Sequence, residues 1–191
     1  MSTRIPGFRG EYLWEFDIAE KQLLQLAEAF PAERYGWRPA ETARSVSEVL
    51  VHLGMGFRTL LVLSGVEAAP GLYGTLEGEG AARIMAMVKK NEGMEKSITD
   101  KAAVLSLLRK SLDAVRIALA EASDVELDRP EVFFGEPTTL RRFYMRGLCH
   151  MHEHMGQLTA YARAMGMPAP WQAEREALRK AIEDQMAASN K

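Results

Sequence analysis

Four histidines stand among the 191 residues, and three of them, His150, His152 and His154, fall within the stretch Cys149–Gln157. On a helix, at about 100° per residue, His150 and His154 lie one turn and about 40° apart, so both imidazoles can reach one point beside the axis. Histidines at i and i+4 on a helix are a spacing that holds zinc and similar ions. His152 sits about 200° from His154 and Cys149 about 140°, so neither is placed to share that point. His152 is read as an exposed or interface residue, and Cys149 as a bystander. The fourth histidine, His52, lies on another amphipathic segment and is the candidate third ligand. Three neutral histidines leave coordination positions open, the mark of a catalytic metal site, where a water could be acidified or a thiol bound as thiolate. The competing reading is three histidines satisfied by hydrogen bonds or paired with carboxylates, without metal.

The helices that must position these side chains can be traced from periodicity. A first helix is expected over about 10–30, with Leu13, Phe16, Ala19, Leu23, Leu26 and Phe30 at spacings of three and four, ended by Pro31. Ser45 and Glu48 form a capping box that opens a second helix. Its seam is Val46, Leu50, Leu53, Phe57, Leu60 and Ser64, with His52 on the shoulder and Gly65 as a stop. Residues 71–80, with four glycines, read as a loop, 81–90 as a short helix, and the region around Gly93 as a further loop. A third long helix runs from Thr99 or Asp100 to about Ala122. A fourth runs from Thr138 or Thr139 to Met165, and a last one spans about 171–188. The fourth carries a seam of alternating steps of four and three: Leu140, Tyr144, Gly147, Met151, His154, Leu158, Tyr161, Met165. Strand signals are nearly absent. The expected fold class is all-α, an antiparallel four-helix bundle with one or two short extra helices, forming a single domain over 1–191 with its core at about 10–168. The connectors 31–44 and 123–137 exceed the usual helix–helix loop and are candidate lids or site walls; the first, with Tyr35 and Trp37, should pack back on the bundle end.

Other groups near the histidines have plain structural readings. Glu48 could orient His52 or act as a base, but the capping box accounts for it. Gln157 could hydrogen-bond a histidine or face solvent. Tyr144 and Tyr161 read as core knobs. Arg58 and Arg142 could meet an anionic substrate, although exposed helix arginines are commoner. Met85, Met87, Met145, Met151, Met155 and Met165 read as adaptable core filler. Gly56 and Gly147, near His52 and His150, make room either for an ion with water or for close helix contact.

The bulk numbers set bounds. A net charge of −2, from 24 basic and 26 acidic residues spread along the chain, gives no electrostatic case for nucleic acid or an anionic membrane as partner. No uninterrupted apolar run reaches the roughly 18–20 residues of a membrane span, and the first residues lack the apolar core of a secretory signal. A single cysteine forbids an intramolecular disulfide. These features point to a reducing cytoplasm.

Three segments together resemble the DinB-like superfamily, including its YfiT-type metal-dependent hydrolases. They are Trp37–Pro39 with Arg44–His52, the run His150–Gln157 (histidine, three residues, histidine, one residue, Gly-Gln), and Met167–Trp171. The resemblance covers about 11–171. It implies a four-helix bundle holding a divalent ion, zinc or nickel, through His52, His150 and His154. It also implies homodimers formed through helix faces, and activities that use low-molecular-weight thiols. Met155 stands where many relatives carry arginine, which leaves any role of that arginine open. No catalytic residue of the protein itself is assigned. The leading expectation is a metal-dependent S-transferase or hydrolase acting on a small molecule. The alternative is a non-catalytic metal-binding or dimeric stress-response module in which the ion staples two helices.

Overall fold

The computed structural model describes residues 7–65, 78, 80–133 and 135–189. The chain forms α1 (Gly7–Ala29), a 3-10 turn (Ala32–Arg34), α2 (Val46–Leu63), α3 (Gly80–Ser97), α4 (Lys101–Glu121), α5 (Asp124–Leu127), β1 (Pro130–Phe133), β2 (Glu136–Thr139), α6 (Leu140–Ala164) and α7 (Gln172–Ser189). The glycine-rich stretch 71–80 lies outside the described residues, apart from Gly78 and Gly80.

The bundle consists of α1, α2, α4 and α6. α2 packs on α4 and α6, α1 packs on the same two, and α3 lies outside against α2. The apolar stripes explain this. Phe16, Ala19, Leu23 and Leu26 of α1 are fully buried, as are Leu50, Leu53 and Met55 of α2 and Leu108 and Leu112 of α4. The edge-on pair Phe16–Phe57, with ring centroids 6.0 Å apart, joins α1 to α2 across the centre. The α6 seam is buried through Leu140, Tyr144, Met151, Leu158 and Tyr161.

The helix directions correct one expectation. Arg116 of α4 bonds Asp17 and Glu20 while Arg109 bonds Glu28, so α1 and α4 run antiparallel. Tyr12 pairs with Tyr144, and Glu15 with His152, so α1 and α6 run parallel. Contacts between α2 and α6 reverse, with His52 against His150 and a Cβ at Gly147 meeting Phe57 and Leu60. The bundle is therefore up-down-down-up, with α2 parallel to α4, and not antiparallel throughout. Parallel neighbours need a return path, and α3 supplies it by running antiparallel along α2, from Asn91 at Thr59 to Glu95 at His52.

α3 is also longer than periodicity indicated and passes through Gly93 without a break. A glycine inside a helix costs roughly 0.5–1 kcal/mol relative to alanine, and the same helix buries Met87 fully. The connector 123–137 holds an unexpected hairpin, β1 against β2 in the register Pro130↔Thr139 to Phe133↔Glu136. Two prolines and four-residue strands hid it, and Gly135 at φ 86° serves its turn. Thr139 holds the cap position of α6 without a side-chain cap bond, whereas the Ser45–Glu48 capping box forms as expected.

α2 has a mean hydropathy of 1.5 over 18 residues, long and apolar enough by those measures to cross a bilayer. Glu48, His52 and Arg58 interrupt it, which is why no uninterrupted run is visible. Its place among α3, α4 and α6 is that of a central bundle helix. The connector 31–44 packs back on the bundle end as expected: Ser47 N–H donates to the Tyr35 carbonyl at 2.9 Å, and Val46 N–H to the Trp37 carbonyl at 3.0 Å.

Candidate metal centre

Because α2 and α6 lie side by side, His52, separated from His150 by 98 positions, meets it in space. Nε2 of His150 lies 3.1 Å from Nε2 of His52 and 3.0 Å from Nε2 of His154. The three ring centroids are 4.6 to 4.9 Å apart, and each pair is steeply tilted. All three rings are half-buried, and His52 keeps a quarter of its side chain exposed.

The partners on the outer nitrogens set the tautomers. Nδ1 of His52 lies 2.7 Å from Oε1 of Glu95. A carboxylate only accepts, so this Nδ1 carries the proton and Nε2 presents a lone pair. On the other side, the Arg44 carbonyl can only accept, so the Tyr161 hydroxyl donates to it at 3.1 Å. The same hydroxyl then accepts from Nε2 of Gln157 at 2.8 Å, which turns Oε1 of Gln157 toward Nδ1 of His154 at 2.7 Å. His154 is thereby protonated at Nδ1 and also presents its Nε2 lone pair inward.

His150 Nε2 faces two lone pairs at about the same distance, and one proton there could satisfy only one of them. Burial, and then the neighbouring His154 and His52, push the His150 pKa down to about 3. Burial also lowers His154, against the hydrogen bond to Gln157, which raises it. Protonation therefore does not relieve the crowding of lone pairs, whereas a cation would. Ligand nitrogens at about 2.0–2.1 Å from an ion stand about 2.8–3.4 Å apart for ligand angles of about 90–109°. The donor set fits a divalent ion, and His52, His150 and His154 could hold one. Hydrogen bonding to carboxylates accounts for the outer edge of His52 but not for three nitrogens converging.

Glu95 is the residue that sequence reasoning missed. Burial alone would raise its pKa, but hydrogen bonds from His52 and Arg44 outweigh this and hold it below the usual carboxylate range. It is only 6% exposed, on a helix otherwise dominated by solvent-facing residues. Glu48, the carboxylate nearer in sequence, stays with its capping box and with Arg38. Gln157 takes the histidine-orienting role, and Tyr161 is both a core knob and a link to Arg44. Arg58 instead braces α4 through Ser111 and the Lys110 carbonyl, and Arg142 lies over the Phe133 ring. Met87, Met151 and Met155 are core filler, but Met85 and Met145 are exposed. His152 is exposed beside Glu15, and Cys149 is exposed as well. The two glycines divide the roles proposed for them. A Cβ at Gly56 would stand 3.1 Å from Cε1 of His150, so Gly56 admits the ring. A Cβ at Gly147 would stand 3.0 Å from Cε1 of Phe57, so Gly147 admits close helix contact.

A family model described as the DinB superfamily matches residues 15–158, a span that includes all three histidines. The chain belongs to the DinB superfamily. Solved structures share the fold. A DinB-like protein from Bacillus cereus ATCC 10987 is 21% identical, with a TM-score of 0.63 over 85% of this chain and 95% of its own. An uncharacterised protein from Clostridium difficile 630 is 11% identical, with a TM-score of 0.65 over 84% and 98%. No curated protein matches the chain. α7 lies beyond the matched residues.

One expectation is overturned. The colibactin self-resistance protein ClbS, solved in complex with a dsDNA, shares the fold at 17% identity, with a TM-score of 0.58 over 82% of this chain and 96% of its own. The exclusion of nucleic acid therefore does not stand for a DinB-superfamily chain. It rested on the net charge and on the spread of charges along the sequence, and a duplex is bound by cations grouped in space, which neither registers.

Proposed function

We propose that this protein binds a divalent metal ion, zinc or nickel, through His52, His150 and His154. On this reading it is a metal-dependent enzyme, a thiol-dependent S-transferase or a hydrolase, acting on a small molecule. The observation that carries it is the convergence of three Nε2 atoms, two of which are fixed as lone-pair donors by Glu95 and Gln157. A divalent ion held there would supply Lewis-acid chemistry at open positions, acidifying a water or a thiol. The chain's own part is to orient the imidazoles through the two outer hydrogen bonds, while burial holds the pKa values of His150 and His154 down. Cys149, exposed on another face of α6, is not a nucleophile for this site. A low-molecular-weight thiol would come from outside, in a reducing cytoplasm. Homodimer formation belongs to the same reading, with Ile18 of α1 and Leu178, Ile182 and Met186 of α7 as exposed apolar side chains.

Elemental analysis of the purified protein tests the reading directly. About one divalent ion per chain is expected, with loss in His150→Ala; a metal-free protein whose stability ignores His150→Ala refutes it. Turnover is then sought with thiols and electrophiles, and with double-stranded DNA among the partners assayed because of ClbS. A second reading is favoured by the origin of the ligands on two adjacent helices. In it the ion staples α2 to α6 without catalysis. Chelation would then lower the melting temperature while no substrate is turned over.

A further inference from the structure

We propose that Arg44 is a positioning residue for two of the three imidazoles at once, which makes the connector before α2 part of the metal centre. This rests on the metal-binding reading above. The side chain of Arg44 donates from Nε to Oε2 of Glu95 at 2.7 Å, and Oε1 of the same carboxylate holds Nδ1 of His52 at 2.7 Å. The carbonyl of Arg44 accepts from the Tyr161 hydroxyl at 3.1 Å, and Tyr161 holds Gln157, which holds Nδ1 of His154. Two arms from one residue thus reach the outer nitrogens of rings on two different helices. Nothing in the periodicity of either helix requires this.

The anchor is itself fixed. Arg44 immediately precedes the buried cap residue Ser45, whose backbone N–H donates to Glu48. The flanking carbonyls of Tyr35 and Trp37 hold Ser47 and Val46. The Trp37 ring stands edge-on to Tyr161 at 5.4 Å, and Arg38 donates to the Ala43 carbonyl at 3.2 Å. A displacement of residue 44 would therefore move Glu95 and Tyr161 together, and with them the directions of two lone pairs. Bonds of this outer kind commonly change metal affinity by about tenfold to a hundredfold when removed.

The test uses Co(II) as the probe, measuring its affinity by chelator competition and its visible absorption bands. Wild type, Arg44→Gln, Arg44→Lys and Tyr161→Phe are compared. Arg44→Gln should weaken Co(II) binding roughly tenfold and shift the bands. Arg44→Lys, which keeps a donor toward Glu95, should recover part of the affinity and the wild-type bands. Tyr161→Phe cuts the other arm and should shift the bands with the Arg44 side chain intact, so the inference is testable even if Arg44→Gln does not fold. A purely structural role would lower the melting temperature of the metal-free protein and leave affinity and bands unchanged in the folded variants; that result overturns the inference. If wild type takes up no Co(II), the metal reading fails, and this inference with it. If wild type binds and the variants bind identically, only this inference fails.

Discussion

Oε1 of Glu95 lies 2.7 Å from Nδ1 of His52, bringing a nearly buried carboxylate from the outlying helix α3 onto a ring of the bundle. That contact makes α3 more than a return path between two parallel helices. It sets the tautomer of His52 and gives the cluster a partner on a third helix.

Replacing Glu95 should consequently weaken metal binding without abolishing it. Glu95→Gln, which still offers an accepting oxygen, is expected to lose about tenfold in affinity, and Glu95→Ala more. Chelator competition measures both. Equal affinities for wild type and Glu95→Ala would show that the carboxylate has no hold on the ring.

The metal-free protein should lose stability on mild acidification. His150 has an ordinary pKa of 6.5 when unfolded and about 3 when folded, so the unfolded chain binds more protons between those values. The stability this difference provides is fully present above pH 6.5 and is lost as the pH falls toward 3. His154 is shifted in the same direction. Each proton of difference gives a slope of at most about 1.4 kcal/mol per pH unit. Urea midpoints measured from pH 7.5 to 4.5 should fall in wild type and fall less steeply in His150→Gln.

The two glycines should separate binding from folding. Gly56→Ala places a methyl 3.1 Å from the His150 ring, while alanine gains helix propensity of about 1 kcal/mol. Stability near that of wild type with clearly weaker metal binding is expected. Gly147→Ala pushes on Phe57 and Leu60, and overpacking of that kind costs about 1–3 kcal/mol. Thermal melts and metal titrations on both variants decide the matter; the reverse pattern would mean the roles have been assigned the wrong way round.

Phe57 bridges α1 and α2 at 2% exposure, edge-on to Phe16. Phe57→Ala should cost about 3–5 kcal/mol of folding free energy. Denaturant unfolding measures it, and a loss below about 1 kcal/mol would mean that the bundle centre repacks freely.

The long helices and the histidine pair were legible because both are written in local spacing. Buried positions on α6 recur in steps of four and three, and the cap of α2 is a four-residue pattern. The direction of α4 relative to α2 was not legible, because it depends on how α3 returns, and α3 is mostly solvent-facing with a glycine inside. Glu95 was hidden for the same reason: one buried carboxylate on a solvent-facing helix leaves no periodic trace. Arg44 lies within a segment that resembles the family, but its two-sided role uses a backbone carbonyl, and carbonyls have no sequence signature. The hairpin escaped because its strands are short and hold two prolines. Charge read along the sequence could not exclude nucleic acid, because grouping of cations is a property of the folded surface.

The 98 positions between His52 and His150 also impose an order in time. During synthesis at about 5–20 residues per second, α2 emerges several seconds before α6 exists. Until then His52 has no histidine to meet, and His150 with His154 can offer at most a two-point grip. The complete cluster can thus form only after α6 has been made and the bundle has closed. Loading of an ion would report the end of folding and then act on it by mass action, since a ligand that binds only the native state draws the population toward that state.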